Sequence, residues 1–329
     1  MGERLDGTAL VTQPAAESGG RASGPSHPFR ALNRMFHGRR RLGVGSLLGV
    51  PLSWMLVVYL GSLAMLVGAA LYTLDPKSQK PSHDFTADNL IATFKIWDPQ
   101  VRDVVLWPFL RTAGMALLVT TVCACIAVPV AFFVAKVAWR WSRRALIVSM
   151  LLPLWAGYLV KGYAWRAMVS PAGGKFAAAG KGGGGFLETT LHWTPGYGRL
   201  AILLAEVYLW LPYMILPIYA GLDRLPPSLL DAAGDLGARP FRTFRSVILP
   251  MLIPSVAAGA IFTFSLTLGD YIVPRIVNNG VERFMFGSSI DSVLGAPNQP
   301  LAAAYTLWPL LIIILFLLSM KRAGAFESL

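Results

Sequence analysis

Three ionisable side chains lie within long apolar runs of this sequence, and they are the residues best placed to do chemistry: Lys161, Glu206 and Asp270. A charge near the centre of a bilayer costs about 2.5 to 3.5 kcal/mol, so each needs a partner, water or a route to the interface. Carboxylates offset lost hydration, and aromatic rings attract ammonium groups. The sequence therefore predicts a passage for a cationic solute, lined by Asp270, Tyr271, Glu206 and Trp155. The alternative is structural, with Lys161 paired to Glu206 so that two helices are held together.

No pattern for covalent chemistry accompanies these residues. The glycine-rich stretch 173–185 resembles a phosphate-binding loop, but Gly174 and Gly180 enclose five residues where that loop needs four, and Lys181 precedes glycine rather than Ser or Thr. Cys123 and Cys125 lie in an apolar run with no His or carboxylate nearby, so we expect packing residues rather than metal ligands. The sequence predicts no catalytic residue, no metal site and no enzyme.

Composition places the chain in a membrane. Of its 329 residues, 55% are hydrophobic and only 14% are charged, and the mean hydropathy is +0.55, which is too apolar for an ordinary soluble domain. The net charge of +12 does not indicate nucleic-acid binding, because the basic residues gather at the ends of apolar runs. We expect a multi-pass membrane protein.

Six segments are long enough to cross about 30 Å of hydrocarbon at about 1.5 Å per residue. The predicted spans are residues 47–74, 107–135, 145–168, 199–222, 247–273 and 301–320. Prolines within several of them predict kinks rather than ends, because neighbouring helices can satisfy the freed carbonyls. The expected fold is an all-α membrane domain over 47–329, after a disordered basic tail over 1–46 that is rich in Gly, Ser, Pro and Arg.

Orientation follows from the distribution of Lys and Arg. They concentrate in the tail, in the connections after the second and fourth spans, and at the C-terminus. Short loops rich in these residues face the cytoplasm. Both termini and the loop between spans four and five are therefore predicted to be cytoplasmic, and the glycine-rich stretch is predicted to lie outside.

The loop between spans four and five has strong helix signals. Ser228 follows a proline pair and, with Asp231 three residues later, fits a capping box. This predicts a short amphipathic helix over 229–236, closed by Gly237, which tolerates positive φ. Pro240 fits the first position of a second helix. Its arginines are Arg239, Arg242 and Arg245, and its apolar residues, Phe241, Phe244 and Ile248, lie on another face.

One spaced motif in this loop carries a family resemblance. Asp231-Ala232-Ala233, three residues, Gly237, nine residues and Val247-Ile248-Leu249-Pro250 resemble the Glu-Ala-Ala signature of the permease subunits of ABC importers. Asp231 replaces Glu and Val247 replaces Ile; the first change shortens any reach towards a partner.

The resemblance implies a location in the bacterial plasma (inner) membrane, a set of partner subunits, and ATP as the energy source. It implies that the loop helix docks on a separate cytosolic ATPase through Asp231, Ala232, Ala233, Gly237, Leu249 and Pro250. The chain itself would bind no cofactor, since ATP and Mg²⁺ belong to the two ATPase copies. A second permease subunit and a soluble external substrate-binding protein would complete the transporter, which works by alternating access.

Stretches 153–166, 211–217 and 265–274 look like the spermidine/putrescine branch of that family, so polyamine import is the expected function. A permease for iron, sulfate or an amino-acid derivative is the alternative within the class. An ion-gradient-driven secondary transporter is the alternative outside it, and would require mid-membrane ionisable relays and internal repeats.

Overall fold

The computed structural model describes residues 40–75, 81–95, 97–171, 184–278, 285–294 and 298–322. Tail residues 1–39 and most of the glycine-rich stretch, residues 172–183, lie outside these ranges. The chain divides into one unit that ends at Ser62 and a second that begins at Leu63. The described part of the first unit is helical, and all elements of the candidate site belong to the second.

The described chain is mainly helical. The helices are α1 (Arg40–Ala70), α2 (Asp88–Phe94), α3 (Arg102–Val137, after a turn at Pro99–Val101), α4 (Arg140–Trp155), α5 (Tyr158–Met168), α6 (Phe186–Leu191), α7 (Arg199–Asp223), α8 (Pro227–Asp235), α9 (Pro240–Gly269), α10 (Ile272–Val277), α11 (Phe286–Leu294) and α12 (Gln299–Arg322). Strands β1 (Tyr72–Leu74) and β2 (Pro81–Phe85) form a small antiparallel hairpin after α1. The last residues of the predicted first span therefore form a strand rather than helix.

The predicted number of spans agrees with the structure. Helices α3, α7, α9 and α12, with Gly49–Ala70 of α1, are five segments long and apolar enough to cross a membrane, and the pair α4 and α5 makes a sixth. The fourth span is predicted as residues 199–222 and observed as Arg199–Asp223. Its two internal prolines, Pro212 and Pro217, leave the helix continuous. The side of the membrane on which each terminus lies stays a prediction.

The third span is broken rather than kinked. Helices α4 and α5 meet at 96°. Pro153 lies inside α4, and the break falls three residues later at Ala156 and Gly157, whose ψ angles of 136° and 139° are extended. Glycine forms helix poorly, and an extended glycine can start a new one. Accordingly, the backbone oxygen of Gly157 accepts from the Lys161 amide at 3.1 Å in the first turn of α5.

The fifth span also breaks, near its end. Helix α9 stops at Gly269, and Asp270, with ψ of 126°, turns the chain into the short helix α10. Asp270 Oδ1 accepts from the amides of Ile272 at 3.0 Å and Val273 at 3.3 Å. These bonds satisfy amides that a helix start leaves free. The predicted continuous span to residue 273 is therefore wrong at its last turn, because a side-chain cap starts a separate helix there.

Helices α3, α7 and α9 form the packed core. Ala127 and Ala131 of α3 and Ala201 and Ala205 of α7 are completely buried, and such small residues let helices approach closely in a membrane. A Cβ added to Gly259 of α9 would lie 2.7 Å from the sulfur of Met214 on α7. The core thus depends on small residues where these helices cross.

Candidate functional site

The loop between α7 and α9 forms the predicted short helix, but its start differs from the prediction. Helix α8 begins at Pro227, with Pro226 as the N-cap residue and no side-chain capping bond. The predicted Ser228 capping box is therefore wrong. Proline at the first helical position needs no amide partner and has a helix-compatible φ, so the helix starts at Pro227, two residues before the start at Leu229 that would let Ser228 cap it.

The end of α8 is confirmed at Gly237, which has φ of +70°. The amide of Ala238 donates to the Ala233 oxygen at 3.0 Å, and the amide of Gly237 donates to the Gly234 oxygen at 2.8 Å. This pair of bonds is a Schellman motif, which satisfies two carbonyls at the helix end. The chain then turns through Arg239 and enters α9 at Pro240, in the predicted first position. The turn between the two helices is thus fixed by backbone bonds.

The motif residues divide between surface and interior. Asp231, Ala232, Gly237 and Pro250 are exposed. Leu249 is 37% exposed, whereas Ala233 is buried at 8%.

At the start of α9 the basic residues are exposed and the apolar residues are buried or packed against other helices, as predicted, except for Phe241. The three arginines are exposed, while Ile248 is buried and the ring of Phe244 lies edge-on to Phe132 at 5.8 Å. Phe241, by contrast, is 75% exposed. Apolar residues such as Phe241 and Leu236, which is 87% exposed, leave an apolar surface on this loop.

Two basic side chains tie the loop to the rest of the bundle. Lys136 Nζ, at the end of α3, donates to the Leu225 oxygen at 3.0 Å. Arg143 of α4 donates to the Tyr219 hydroxyl at 2.9 and 2.6 Å and forms an ion pair with Asp223. These side chains join α4 to α7, and the end of α3 to the connection that follows α7. These contacts hold the connection that leads into α8 against the ends of the membrane helices.

A second cluster lies near the opposite ends of α7 and α9. Glu206 on α7 is completely buried, and the indole Nε1 of Trp210 donates to its Oε2. Its other oxygen, Oε1, has no hydrogen-bond partner among the described residues. The carboxyl groups of Glu206 and Asp270 are close enough to interact. The cluster is therefore a pair of acidic groups in an apolar setting.

Asp270 is 7% exposed and joins the two helix breaks. Besides capping α10, its Oδ1 accepts from the hydroxyl of Tyr158, the first residue of α5. Its Oδ2 has no hydrogen-bond partner in the described ranges. One oxygen of Asp270 thus caps the backbone of α10, while the carboxyl group also interacts with that of Glu206.

A cavity of about 310 Å³ lies against this cluster. Its walls include Tyr158, Trp210, Ser265, Gly269, Asp270 and Tyr271. Tyr271 and Gly269 also border a second cavity of about 280 Å³. An acidic group among aromatic rings suits an ammonium ion.

The four predicted passage residues are not equivalent in the structure. Asp270 and Tyr271 line the cavity, whereas Glu206 is completely buried and its carboxyl group is bonded to Trp210, a wall residue. Trp155, at the end of α4, is 89% exposed in this chain. The structure thus brings two predicted residues to one cavity and adds Tyr158 and Trp210.

The alternative Lys161–Glu206 pair is not formed. Among the described residues, the salt bridges are Arg102–Asp103, Arg143–Asp223 and Arg275–Asp291. Cys123 is buried with its Sγ 3.7 Å from the Val207 oxygen, in line with a packing role, while Cys125 is exposed.

Tyr158 and Trp210 were absent from the sequence-based set. Trp210 follows Glu206 by four residues, a spacing that puts both on one helix face, so that contact could have been found. Tyr158 meets Asp270 only because both helices break.

These features define a class of protein: a multi-pass helical membrane subunit with an exposed helix held rigidly between its fourth and fifth spans. Residues 115–324 match the family described as binding-protein-dependent transport system inner membrane component, and the chain belongs to this family. It is therefore a membrane permease subunit of an ABC importer and is not catalytic.

Curated relatives agree with this assignment. The chain is 40% identical over 322 residues, covering 93% of this chain and 97% of the relative, to the inner membrane ABC transporter permease protein YdcU of Escherichia coli (strain K12). It is 28% identical over 278 residues, covering 82% and 93%, to the spermidine/putrescine transport system permease protein PotB of the same strain. The chain is thus a multi-pass inner-membrane protein.

Solved structures show the same fold. A chain of a bacterial alginate ABC transporter, in complex with an alginate pentasaccharide-bound periplasmic protein, aligns with a TM-score of 0.63 at 13% identity, covering 88% of this chain and 96% of that one. A bacterial ABC transporter involved in alginate import aligns at 0.55, covering 88% and 99%. The ion-gradient-driven alternative does not agree with this family and fold.

Proposed function

We propose that this permease subunit imports polyamines, and that the cavity beside Asp270 is part of their passage. The observation that carries the proposal is the buried carboxyl group of Asp270, which lies beside that of Glu206 and has no salt bridge within the described ranges, in a cavity walled by Tyr158, Trp210 and Tyr271. A buried carboxylate needs a cationic or hydrogen-bonding partner. A protonated amine supplies both charge and donors, and aromatic faces attract it as it leaves water. The 28% identity to PotB supports the same solute class.

The coupling surface is the second half of the proposal. Exposed Asp231 and Ala232 on α8, and Gly237 at its end, dock on a cytosolic ATPase; Ala233 is buried on the other side of α8, and Leu249 and Pro250 belong to α9. Two ATPase copies bind ATP and Mg²⁺, and a second permease subunit and an external binding protein complete the transporter. The fixed turn from α8 into α9 passes ATPase closure to the core helices.

Other solutes of this class require other chemistry. Sulfate would meet the unpaired acidic oxygens of the cluster and be repelled. A ferric ion needs hard oxygen ligands, yet the described residues include no group of three or more His, Cys, Asp or Glu that could hold a metal ion. The cavity therefore favours an organic cation.

Reconstitution with the partner subunits in proteoliposomes tests the solute class. Binding protein loaded with spermidine or putrescine is expected to stimulate ATP hydrolysis and uptake, whereas sulfate, ferric iron or an amino acid is not. Stimulation by one of those solutes, with no response to either polyamine, would refute the polyamine proposal. ATP-independent uptake driven by an ion gradient would contradict the coupling proposal.

Asp270→Asn tests the passage separately. Asparagine keeps an Oδ1 that can cap α10 and accept from Tyr158, but it removes the charge. A hydrogen bond to a charged group contributes about 1.5–3 kcal/mol, so polyamine uptake should fall roughly 10- to 100-fold while the complex still assembles. Asp103→Asn, an equal charge change at a carboxylate that is 63% exposed, is the control. Unchanged uptake in Asp270→Asn would exclude the passage role.

A further inference from the structure

A separate groove lies between α3 and α7, at the end of the bundle opposite α8. Its volume is about 390 Å³. The residues that line it are Arg111, Gly114, Met115 and Leu118 of α3, and Arg199, Leu200 and Leu203 of α7. The lining contains two arginines and no carboxylate, and every other residue in it is apolar. It shares no lining residue with the cavities beside Tyr271.

The charged and apolar parts of this groove are ordered along the helices. On α3, Leu118 lies seven residues beyond Arg111, a rise of about 10 Å. On α7, Leu203 lies four residues beyond Arg199, a rise of about 6 Å. Both helices start at this end of the bundle and both guanidinium groups precede the apolar residues. The groove therefore has two arginines at one end and an apolar floor that runs along the two helices away from that end of the bundle.

The depth of Arg111 matches a membrane interface. Helix α3 has 36 residues, which at about 1.5 Å each is some 54 Å, well beyond a hydrocarbon core of about 30 Å. If the helix extends evenly on both sides, about 12 Å of it lies outside the hydrocarbon at each end. Arg111 is nine residues from the start, about 14 Å along. Its side chain is exposed and has no ion pair with a residue in the described ranges.

We propose that this groove binds an anionic phospholipid, with the phosphate between Arg111 and Arg199 and an acyl chain along Met115, Leu118 and Leu203. The planar guanidinium fork matches phosphate oxygens in a bidentate arrangement. An acyl chain on the apolar floor is in surroundings similar to the bilayer interior, so it gains little by binding there. The arginines therefore provide the selectivity for an anionic headgroup. A cationic solute is repelled by the same pair, which separates this groove from the transport passage.

Native mass spectrometry of the delipidated transporter complex tests the groove. The probes are phosphatidylglycerol, phosphatidylcholine and inorganic phosphate. Phosphatidylglycerol is expected to bind at least tenfold more tightly than phosphatidylcholine. Each of Arg111→Gln and Arg199→Gln should weaken it roughly fivefold, the usual effect of one basic residue near an anionic lipid. Arg102→Gln, which removes an arginine of the same helix that pairs with Asp103, should leave binding unchanged.

A variant that keeps both charges distinguishes a lipid from a free anion. A Cβ added to Gly114, which lines the groove, meets no atom within 4 Å, so Gly114→Leu places a bulky side chain there from an unhindered Cβ position. Phosphatidylglycerol binding should fall while the helix stays intact. Inorganic phosphate that binds as tightly as the lipid, and is insensitive to Gly114→Leu, would overturn the lipid proposal in favour of a simple anion site.

Assembly provides the other decisive outcome. If the double variant Arg111→Gln, Arg199→Gln loses the second permease subunit, and the intact complex shows no preference for phosphatidylglycerol, a protein covers the groove and the proposal fails. Retention of all subunits together with loss of the lipid preference supports it.

Discussion

Gly237 and Gly234 are three residues apart at the end of α8, and the same change to alanine should have opposite effects at the two positions. At either glycine an added Cβ would meet no atom within 4 Å. Steric contact with neighbours therefore contributes nothing, and only the backbone matters. Gly237 has φ of +70°, whereas Gly234 lies within the helix.

The expected magnitudes follow from these conformations. An alanine in the left-handed region costs about 1–2 kcal/mol, so Gly237→Ala should weaken the helix end by that amount. Alanine in a helix interior is better than glycine by about 0.8–1 kcal/mol, so Gly234→Ala should stabilise α8. Gly237→Asn should fall between Gly237→Ala and the natural sequence, because asparagine tolerates this region.

Hydrogen exchange at the two amides of the Schellman motif measures the effect. For the permease in nanodiscs without its ATPase, exchange at Gly237 or its alanine replacement and at Ala238 should be about 5- to 30-fold faster in Gly237→Ala, since about 1.4 kcal/mol is a factor of ten. Exchange should be slower in Gly234→Ala. A shift of both variants in the same direction, or equal exchange in all three chains, would refute the account of a helix end fixed by glycine.

Two further predictions concern the core, and both are checked by the heat stability of the purified complex on size-exclusion chromatography. Trp210→Phe removes the donor to buried Glu206 and should cost about 1–3 kcal/mol because a buried acceptor is left unsatisfied, with a smaller loss in a Glu206→Met background, which lacks that acceptor; an equal loss in both would show that this hydrogen bond is not the cause. Gly259→Val forces side-chain atoms against the backbone of Met214, whose Cα and oxygen are each 3.1 Å from an added Cβ, and should cost about 1–3 kcal/mol. Gly68→Ala, whose Cβ meets no atom within 4 Å, is its control, and equal stability of the two variants would contradict the close approach.

The length of the apolar runs and the positions of proline and glycine were enough to predict the spans and the loop helix. The run from 199 to 222 has no strong breaker other than proline, and prolines in a bundle leave the helix continuous, as Pro212 and Pro217 show. Gly237 was predictable because few residues other than glycine adopt positive φ cheaply. The predicted Ser228 capping box failed because a proline at the first helical position competes with a serine cap, and the sequence alone does not show which of the two starts the helix.

The candidate passage was less accessible to sequence reasoning. Distance along a span placed Asp270 and Glu206 near the same end, but the breaks at Gly157 and Asp270 depend on tertiary contacts. A sequence read without those breaks does not predict where the Tyr158 side chain lies, and it offers Lys161 as a partner for Glu206. The contact of Gly162 with Val273, in which an added Cβ would lie 3.2 Å from a methyl group, shows how closely the two short helices pack. Such packing between distant segments has no local signature.

The bond between Tyr158 and Asp270 joins residues 112 positions apart, and this separation bears on how the protein is made. At about 5–20 residues per second, a ribosome needs about 6–20 s to reach Asp270 after completing Tyr158. During that interval the sharp bend between α4 and α5 lacks both its acceptor and the α10 surface against which α5 packs. The third span therefore enters the membrane before its bend is secured, and the fifth span completes it. Biogenesis of this subunit thus includes a late step in which a segment synthesised earlier gains the hydrogen bond and packing surface that hold its bend.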